Sequence, residues 1–130
     1  MTQFARAALG LLELSLGRHA EAVEQPSPLV ELARAERICE PGLTRYVPDQ
    51  VEALVELGRL DEAGELLGLA RGKRRCGWAG AARRPRHAGC RGLLSAAQGA
   101  LDEALAHFET ALAEHDAVPL PFDRARTLLV

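Results

Sequence analysis

The chain has 130 residues, 48% of them apolar and 26% charged, with a net charge of −2. This suits one modest domain with a core of its own and excludes an intrinsically disordered tail. No uncharged apolar run approaches the roughly 18 residues of a membrane-crossing helix, and no basic segment with an apolar core opens the chain, so a membrane span and a secretory leader are not expected.

In chain order, Phe4, Ala8, Leu11, Leu12 and Ser15 fall at i, i+4, i+7, i+8 and i+11. This spacing predicts a helix from Phe4 to Leu16 with that stripe facing inward. Gly17 ends it, and a second helix runs from His19 to Gln25. Pro26 lacks an amide hydrogen and must stop or kink it. Ser27-Pro28 reads as an N-cap followed by proline at the first helical position, opening a helix to about Ile38 with Leu29, Leu32 and Ala33 as its stripe. Pro41-Gly42 makes a turn, and Pro48 restricts the next helix to Asp49–Leu57. After Gly58, Leu60, Ala63, Leu67 and Ala70 alternate steps of three and four, the seam of a helix packed on a neighbour.

Arg71 to Ala88 lacks such a period and mixes glycine, proline and arginine. A helical pattern returns from Cys90 to Gln98. The next helix carries Leu101, Ala104, Leu105, Phe108, Ala111 and Leu112 on one face and Asp102, Glu103, Glu109 and Glu114 on the other. Pro119 and Pro121 break the chain before a further helix over 122–130. Aromatic residues are only 4%, so the core of these helices must be small and aliphatic.

One local context recurs. Gly17, Gly58 and Gly99 each lie 41 residues after the last, with Glu21, Glu62 and Glu103 and then Ala22, Ala63 and Ala104 in register behind them. A fixed period of this kind marks a repeat architecture. The expected fold is all-α, a solenoid of antiparallel helix pairs in about three repeats over residues 1–130, roughly 3–40, 43–75 and 80–117, with the start of a further helix at 122–130. The next signature glycine would fall at position 140. Because Leu128-Leu129-Val130 carries no cap, the chain is expected to be a fragment of a larger array.

Charge is distributed unevenly. Between Leu66 and Leu101 there is no acidic residue, while Arg71, Lys73, Arg74, Arg75, Arg83, Arg84, Arg86 and Arg91 contribute eight positive charges, leaving −10 to the rest of the chain. Arginine and lysine can track a nucleic-acid backbone, and Trp78 offers a surface on which a base can stack. A solvated loop is the plainer reading of the same run.

Gly99-Ala-Leu-Asp-Glu-Ala-Leu-Ala-His-Phe-Glu-Thr-Ala-Leu112 resembles the second-helix half of a tetratricopeptide repeat, with Gly99, Ala104, Phe108 and Ala111 at its glycine, small, aromatic and small positions. The small residues allow two helices to approach, and the aromatic ring fills the gap beside them. In the first repeat Leu9-Gly10 and Ala22 match, while Pro26 replaces a large residue. In the second, Val51 replaces the first-helix glycine, and Ala63, Leu67 and Ala70 fit. The resemblance implies a right-handed superhelix, in a variant longer than the usual 34 residues.

Leu9-Gly-Leu-Leu-Glu-Leu14, the run from Tyr46 to Ala63 and Pro119-Leu-Pro-Phe-Asp-Arg-Ala-Arg-Thr-Leu-Leu129 are similar to the helical-repeat sensor region of large LuxR-type, ATP-dependent bacterial transcription regulators. That resemblance implies a cytoplasmic protein with a P-loop ATPase before the repeats and a DNA-binding helix-turn-helix after them. It also implies neighbouring domains and a protein or small-molecule effector in the repeat groove as partners. The basic segment departs from the family. Its Arg, Gly, Ala, Pro, Cys and Trp are what GC-rich DNA yields out of frame, and a pair of compensating frameshifts between about Ala70 and Cys90 accounts for it.

Chemistry is weakly signalled. Gly68-Leu-Ala-Arg-Gly72-Lys73-Arg74 imitates a phosphate-binding loop, but only three residues separate its glycines and Arg74 takes the Ser/Thr place. Cys76, His87 and Cys90 supply three metal ligands without a fourth. The three cysteines, with Cys39, are odd in number and fit free thiols. His19, His107 and His115 lie on patterned helices with no matching nucleophile, so exposed or edge-packed roles are expected. Glu21, Glu62 and Glu103 fit service to helix N-termini. No catalytic, cofactor-binding or metal-ligating residue is assigned. The expected function is a non-enzymatic binding module, with nucleic-acid association through residues 71–91 as the alternative and self-association through open repeat ends as a further expectation.

Overall fold

The structure, a computed structural model, describes residues 2–36, 46–71, 80–117 and 121–129. Among them every regular element is helical: α1 (Gln3–Ser15), α2 (His19–Glu24), α3 (Ser27–Glu36), α4 (Val47–Glu56), α5 (Leu60–Arg71), α6 (Gly80–Ala97), α7 (Leu101–Ala117) and α8 (Pro121–Leu129). The chain forms two compact units, Met1–Cys76 and Gly77–Val130. The boundary falls between the second and third sequence repeats. No helix of the described residues is long and apolar enough to cross a membrane. The Pro41-Gly42 turn, Cys39, Cys76, Trp78 and the cluster Lys73 to Arg75 lie outside the described residues.

The three signature glycines close three turns of one geometry. Gly17, Gly58 and Gly99 have φ of 73°, 72° and 81°, a left-handed conformation that a Cβ would penalise. Their N–H groups donate to Leu14, Val55 and Ala96 carbonyls at 3.0, 2.9 and 3.0 Å, and the N–H groups of Arg18, Arg59 and Ala100 donate to Glu13, Leu54 and Ser95 carbonyls, each at 2.9 Å. These are the paired hydrogen bonds of a Schellman turn, which satisfies the last carbonyls of the preceding helix. The following helix opens at once, with Ala22, Ala63 and Ala104 donating to the carbonyls of Arg18, Arg59 and Ala100 at 2.9, 3.1 and 2.9 Å. The 41-residue period of the sequence is therefore a period of backbone structure.

In the first unit, α1 packs on α2 and α4, α2 on α4, and α4 on α5. Thr2 caps α1, its hydroxyl accepting from the Ala5 N–H at 3.3 Å. Pro26 separates α2 from α3 as its missing amide requires, and its carbonyl accepts from Leu29 and Val30 at 2.8 and 3.2 Å. Ser27 does not act as the N-cap: it lies inside α3, and its hydroxyl donates back to the Val23 carbonyl at 2.8 Å. Pro48 falls in the first turn of α4, where no amide is needed, so the helix begins at Val47. α4 is nearly enveloped, with Val47 through Val51, Ala53 and Leu54 all buried.

The buried face of α1 differs from the sequence expectation. Its buried residues are Gly10 and Leu14, whereas Phe4 and Leu12 are 68% and 50% exposed and Ala8 and Ser15 are exposed too. Both faces are apolar, and the side that takes the smaller residue is the side that packs.

In the second unit α6, α7 and α8 pack on one another. The helix over residues 80–97 extends further back than the apolar period indicates, since Ala81, Ala82 and the arginines are strong helix formers that need no stripe. α7 buries Ala104, Ala111 and His115. Leu101 and Leu105, expected on its inner face, are 69% and 60% exposed, because α8 engages the other end of α7.

Candidate functional site

The features that set these surfaces apart are two close helix crossings, a polar cluster under α8 and two uncovered apolar faces. The first crossing joins α1 to the α2–α3 junction: a Cβ on Gly10 would lie 3.2 Å from Pro26 Cδ and 3.3 Å from the Ala22 carbonyl oxygen. The corresponding crossing joins α6 to α7, where a Cβ on Gly92 would come within 2.6 Å of Phe108 Cε1. Gly10 and Gly92 stand two periods apart, as do Pro26 and Phe108. Between them lie Val51 and Leu67, both buried. At the two glycine positions a residue without a side chain faces a bulkier one beyond the turn, which fixes how closely the two segments approach. Extending the period from Gly10 by two repeats reaches Gly92, a match masked by the basic segment at whose edge that glycine sits.

The side chain of Gln50 ties α4 to α2. Gln50, buried in α4, donates from Nε2 to the Val23 carbonyl at 3.2 Å. Its Oε1 is buried with no hydrogen-bond partner in the protein.

Under α8, His115 is 3% exposed, a correction to the exposed or edge-packed role expected for it. Its Nε2 lies 3.1 Å from Thr127 Oγ1, and that hydroxyl donates to the Asp123 carbonyl at 3.1 Å. Thr127 has one proton to give, so toward His115 it accepts, which sets the proton on Nε2 and leaves Nδ1 an acceptor. Nδ1 is buried and has no partner in the protein. Burial is the main cause that lowers the His115 pKa below its ordinary 6.5; Arg124 adds to this, and Asp123, Glu114 and Asp116 oppose it. Beside them Arg86 of α6 meets Asp123 of α8 at 3.0 Å, so one charge of the basic run is committed to holding α8.

The other sequence candidates separate. Gly68 lies within α5 on its exposed side, in a helix where a phosphate loop needs a turn. Cys90 is a buried thiol, and His87 is half-buried one turn from it. Among the described residues no three His, Cys, Asp or Glu side chains are grouped to hold a metal ion. Glu21, Glu62 and Glu103 stand in the first turns of α2, α5 and α7, well apart along the chain. Glu62 takes both oxygens to Arg59, at 2.7 and 2.6 Å, and that hydrogen bonding holds its carboxyl below the usual range. His19 and His107 are half-buried.

Comparison of the chain with models of known protein families, with curated proteins and with solved structures gives no match.

Proposed function

We propose that the chain is a non-enzymatic helical-repeat binding module, tetratricopeptide-like, belonging to the sensor region of a LuxR-type regulator and binding a protein or small effector in the groove of its stacked helix pairs. The observation that carries this reading is the threefold recurrence of one helix–Schellman turn–helix geometry at 41-residue intervals. A repeated unit that buries a seam and leaves its other faces to solvent supplies extended surface, and extended surface is what such arrays use to bind. The motif stretches in α1, α4–α5 and α8 support the regulator assignment, and that in α7 the tetratricopeptide-like one; the regulator assignment implies a cytoplasmic setting beside an ATPase and a DNA-binding domain.

The nucleotide sequence around the coding segment, read in all frames, tests it. A P-loop encoded upstream, a helix-turn-helix downstream and a helix-patterned peptide in a shifted frame across residues 70–90 are expected. An isolated gene in one uninterrupted frame would overturn the regulator assignment. Titration with a DNA duplex separates the nucleic-acid alternative: affinity falling steeply with added salt is the mark of phosphate contacts, and groove binding does not require it.

A further inference from the structure

Polar side chains hold α8 to the other two helices of its unit. Asp123 meets Arg86 of α6 at 3.0 Å, Arg124 meets Asp116 of α7 at 3.5 Å, and Thr127 meets His115 of α7 at 3.1 Å. No residue of α8 is itself buried. The α6–α7 pair is built differently. Ala104, Phe108, Ala111 and His115 follow one another along α7 at steps of four, three and four; Ala104 and Ala111 are buried, and the Phe108 ring lies against Gly92 of α6. Gly99 closes the turn between the two helices. Apolar burial stabilises that pair without help from α8, whereas ion pairs lose to screening and desolvation most of what they gain. The two attachments therefore differ in strength, and α8 can leave while α6 and α7 stay together.

His115 belongs to both attachments. It ends the inner stripe of α7, is 3% exposed, and reaches α8 through Thr127. Thr127 lies against α6 as well, since a Cβ on Gly89 would stand 3.5 Å from its hydroxyl oxygen. With the Nε2 proton directed at Thr127, a second proton on the ring would sit on Nδ1, which is buried and faces no acceptor. A buried charge without a partner is costly, and removing α8 takes away the Thr127 side of its cover and lets water reach the ring.

The charged groups that act on the ring are Asp123 and Arg124 of α8 and Glu114 and Asp116 of α7. The three carboxylates favour a second proton and Arg124 disfavours it, but burial is the largest influence and holds the ring neutral. On α6, Arg86 is bound to Asp123, and His87, Cys90 and Arg91 lie within one turn of Gly89. His87 is of the type that changes charge between about pH 5 and 8, so it requires its own control.

We propose that α8 is an acid-released strap: uptake of a proton by His115 frees α8 from α6 and α7, and the α6–α7 pair remains folded. The released state binds the proton more tightly than the docked one. The ratio of docked to released α8 is therefore highest above the ordinary histidine value of 6.5 and falls below it, by up to about tenfold per pH unit for a single proton. The inference rests on packing within one unit and not on what the groove binds, so its failure would leave the proposed function standing.

Heteronuclear NMR relaxation of the full chain between about pH 7.5 and 5 tests it. The backbone order parameters of α8 should fall from about 0.85 toward 0.6 or below as the strap loosens. The Gly89 amide, under Thr127, should shift along with them, while Gly92 and Phe108 keep their neutral-pH resonances and order. His115→Gln should leave α8 docked at both ends of the range, and His87→Gln should respond as the wild type does. Thr127→Val removes the acceptor without touching the buried ring, and should release α8 already at pH 7.5 with α6 and α7 intact; it tests the same link should His115→Gln fail to fold. An α8 that stays ordered at pH 5, loss of α6–α7 order together with α8, an undiminished response in His115→Gln, or a response abolished by His87→Gln would overturn the proposal.

Discussion

Phe108 lies across Gly92 so closely that a Cβ at position 92 would sit 2.6 to 2.8 Å from three atoms of its ring. Real Cβ atoms do not approach that near, and a ring edge wedged between two helices cannot swing aside as the end of a flexible chain would. Gly92→Ala should therefore destabilise the second unit by roughly 1–3 kcal/mol through overpacking. The sign is diagnostic, because glycine to alanine within a helix ordinarily stabilises by about 0.5–1 kcal/mol. Gly68→Ala in α5, with nothing within 4 Å of the added methyl, should show that ordinary gain. Replacing Phe108 with leucine should relieve part of the Gly92→Ala loss. Thermal unfolding followed by helical circular dichroism measures all three, and a stabilised Gly92→Ala would refute the crossing.

The signature glycines fail for a different reason. A methyl on Gly17, Gly58 or Gly99 meets nothing within 4 Å, so only the backbone objects. At φ near +75° the cost of an L side chain is about 1–2 kcal/mol, and Gly58→Ala should show it, while Gly58→Asn should cost less because asparagine tolerates this region. The three positions should behave alike, since they share one hydrogen-bond pattern. Amide hydrogen exchange at Arg18, Arg59 and Ala100, whose N–H groups close the turns, would report each loss locally.

That regularity explains what was legible in the sequence. A Schellman turn asks for glycine at one position and a close helix pair asks for a small residue a few positions on; both demands are local, and they appear as Gly17, Gly58 and Gly99 with Ala22, Ala63 and Ala104. The choice of face on α1 was not legible, because hydropathy favours Phe4 and Leu12 while close packing favours Gly10, and periodicity weighs the larger side chains. The burial of Leu101 and Leu105 was over-read for a related reason: an apolar stripe states what can be covered, not what covers it. The burial of His115, expected to be exposed or edge-packed, was not legible because its partner, Thr127, lies on another helix beyond two prolines, and no spacing rule joins them. The Gly92–Phe108 crossing was within reach of the period but not of the local pattern around it.

His115 makes the docking of α8 depend on pH. The folded unit holds it neutral, with its pKa lowered from 6.5 chiefly by burial, whereas the unfolded chain takes up a proton near the ordinary value. Below that value the unfolded state binds more protons, so stability rises with pH there. The contribution of neutral His115 is full above about pH 6.5 and is lost as pH falls toward its folded pKa. Protonation would also put a donor on Nδ1, which has no partner in the protein. Asp123 and Arg124 of α8 act on the ring electrostatically, as do Glu114 and Asp116 on its own helix, and Arg86 of α6 is paired with Asp123. His115→Gln keeps a donor toward Thr127 without a titrating ring, and should flatten the stability profile between pH 5 and 7. An equal slope in both proteins would remove His115 as the cause.

Gln50 offers the opposite kind of test, a polar group whose loss should not hurt. Its Nε2 donates to the Val23 carbonyl, but that oxygen also accepts from Ser27 at 2.8 Å, so removing the amide leaves it satisfied. Its Oε1, meanwhile, is buried without a partner, and an orphaned acceptor costs roughly 1–3 kcal/mol of desolvation. Methionine has nearly the same length and flexibility, fills the same space and carries no such group. Gln50→Met should accordingly leave the first unit as stable or raise its stability by up to about 1 kcal/mol. The period supports the substitution, because Leu9 holds the corresponding place in α1. Urea unfolding of Gln50→Met and Gln50→Ala side by side separates the two contributions. Alanine removes both the polar atoms and the packing and should destabilise, whereas a loss of more than about 1 kcal/mol in the methionine variant would show that the Val23 hydrogen bond outweighs the orphaned oxygen.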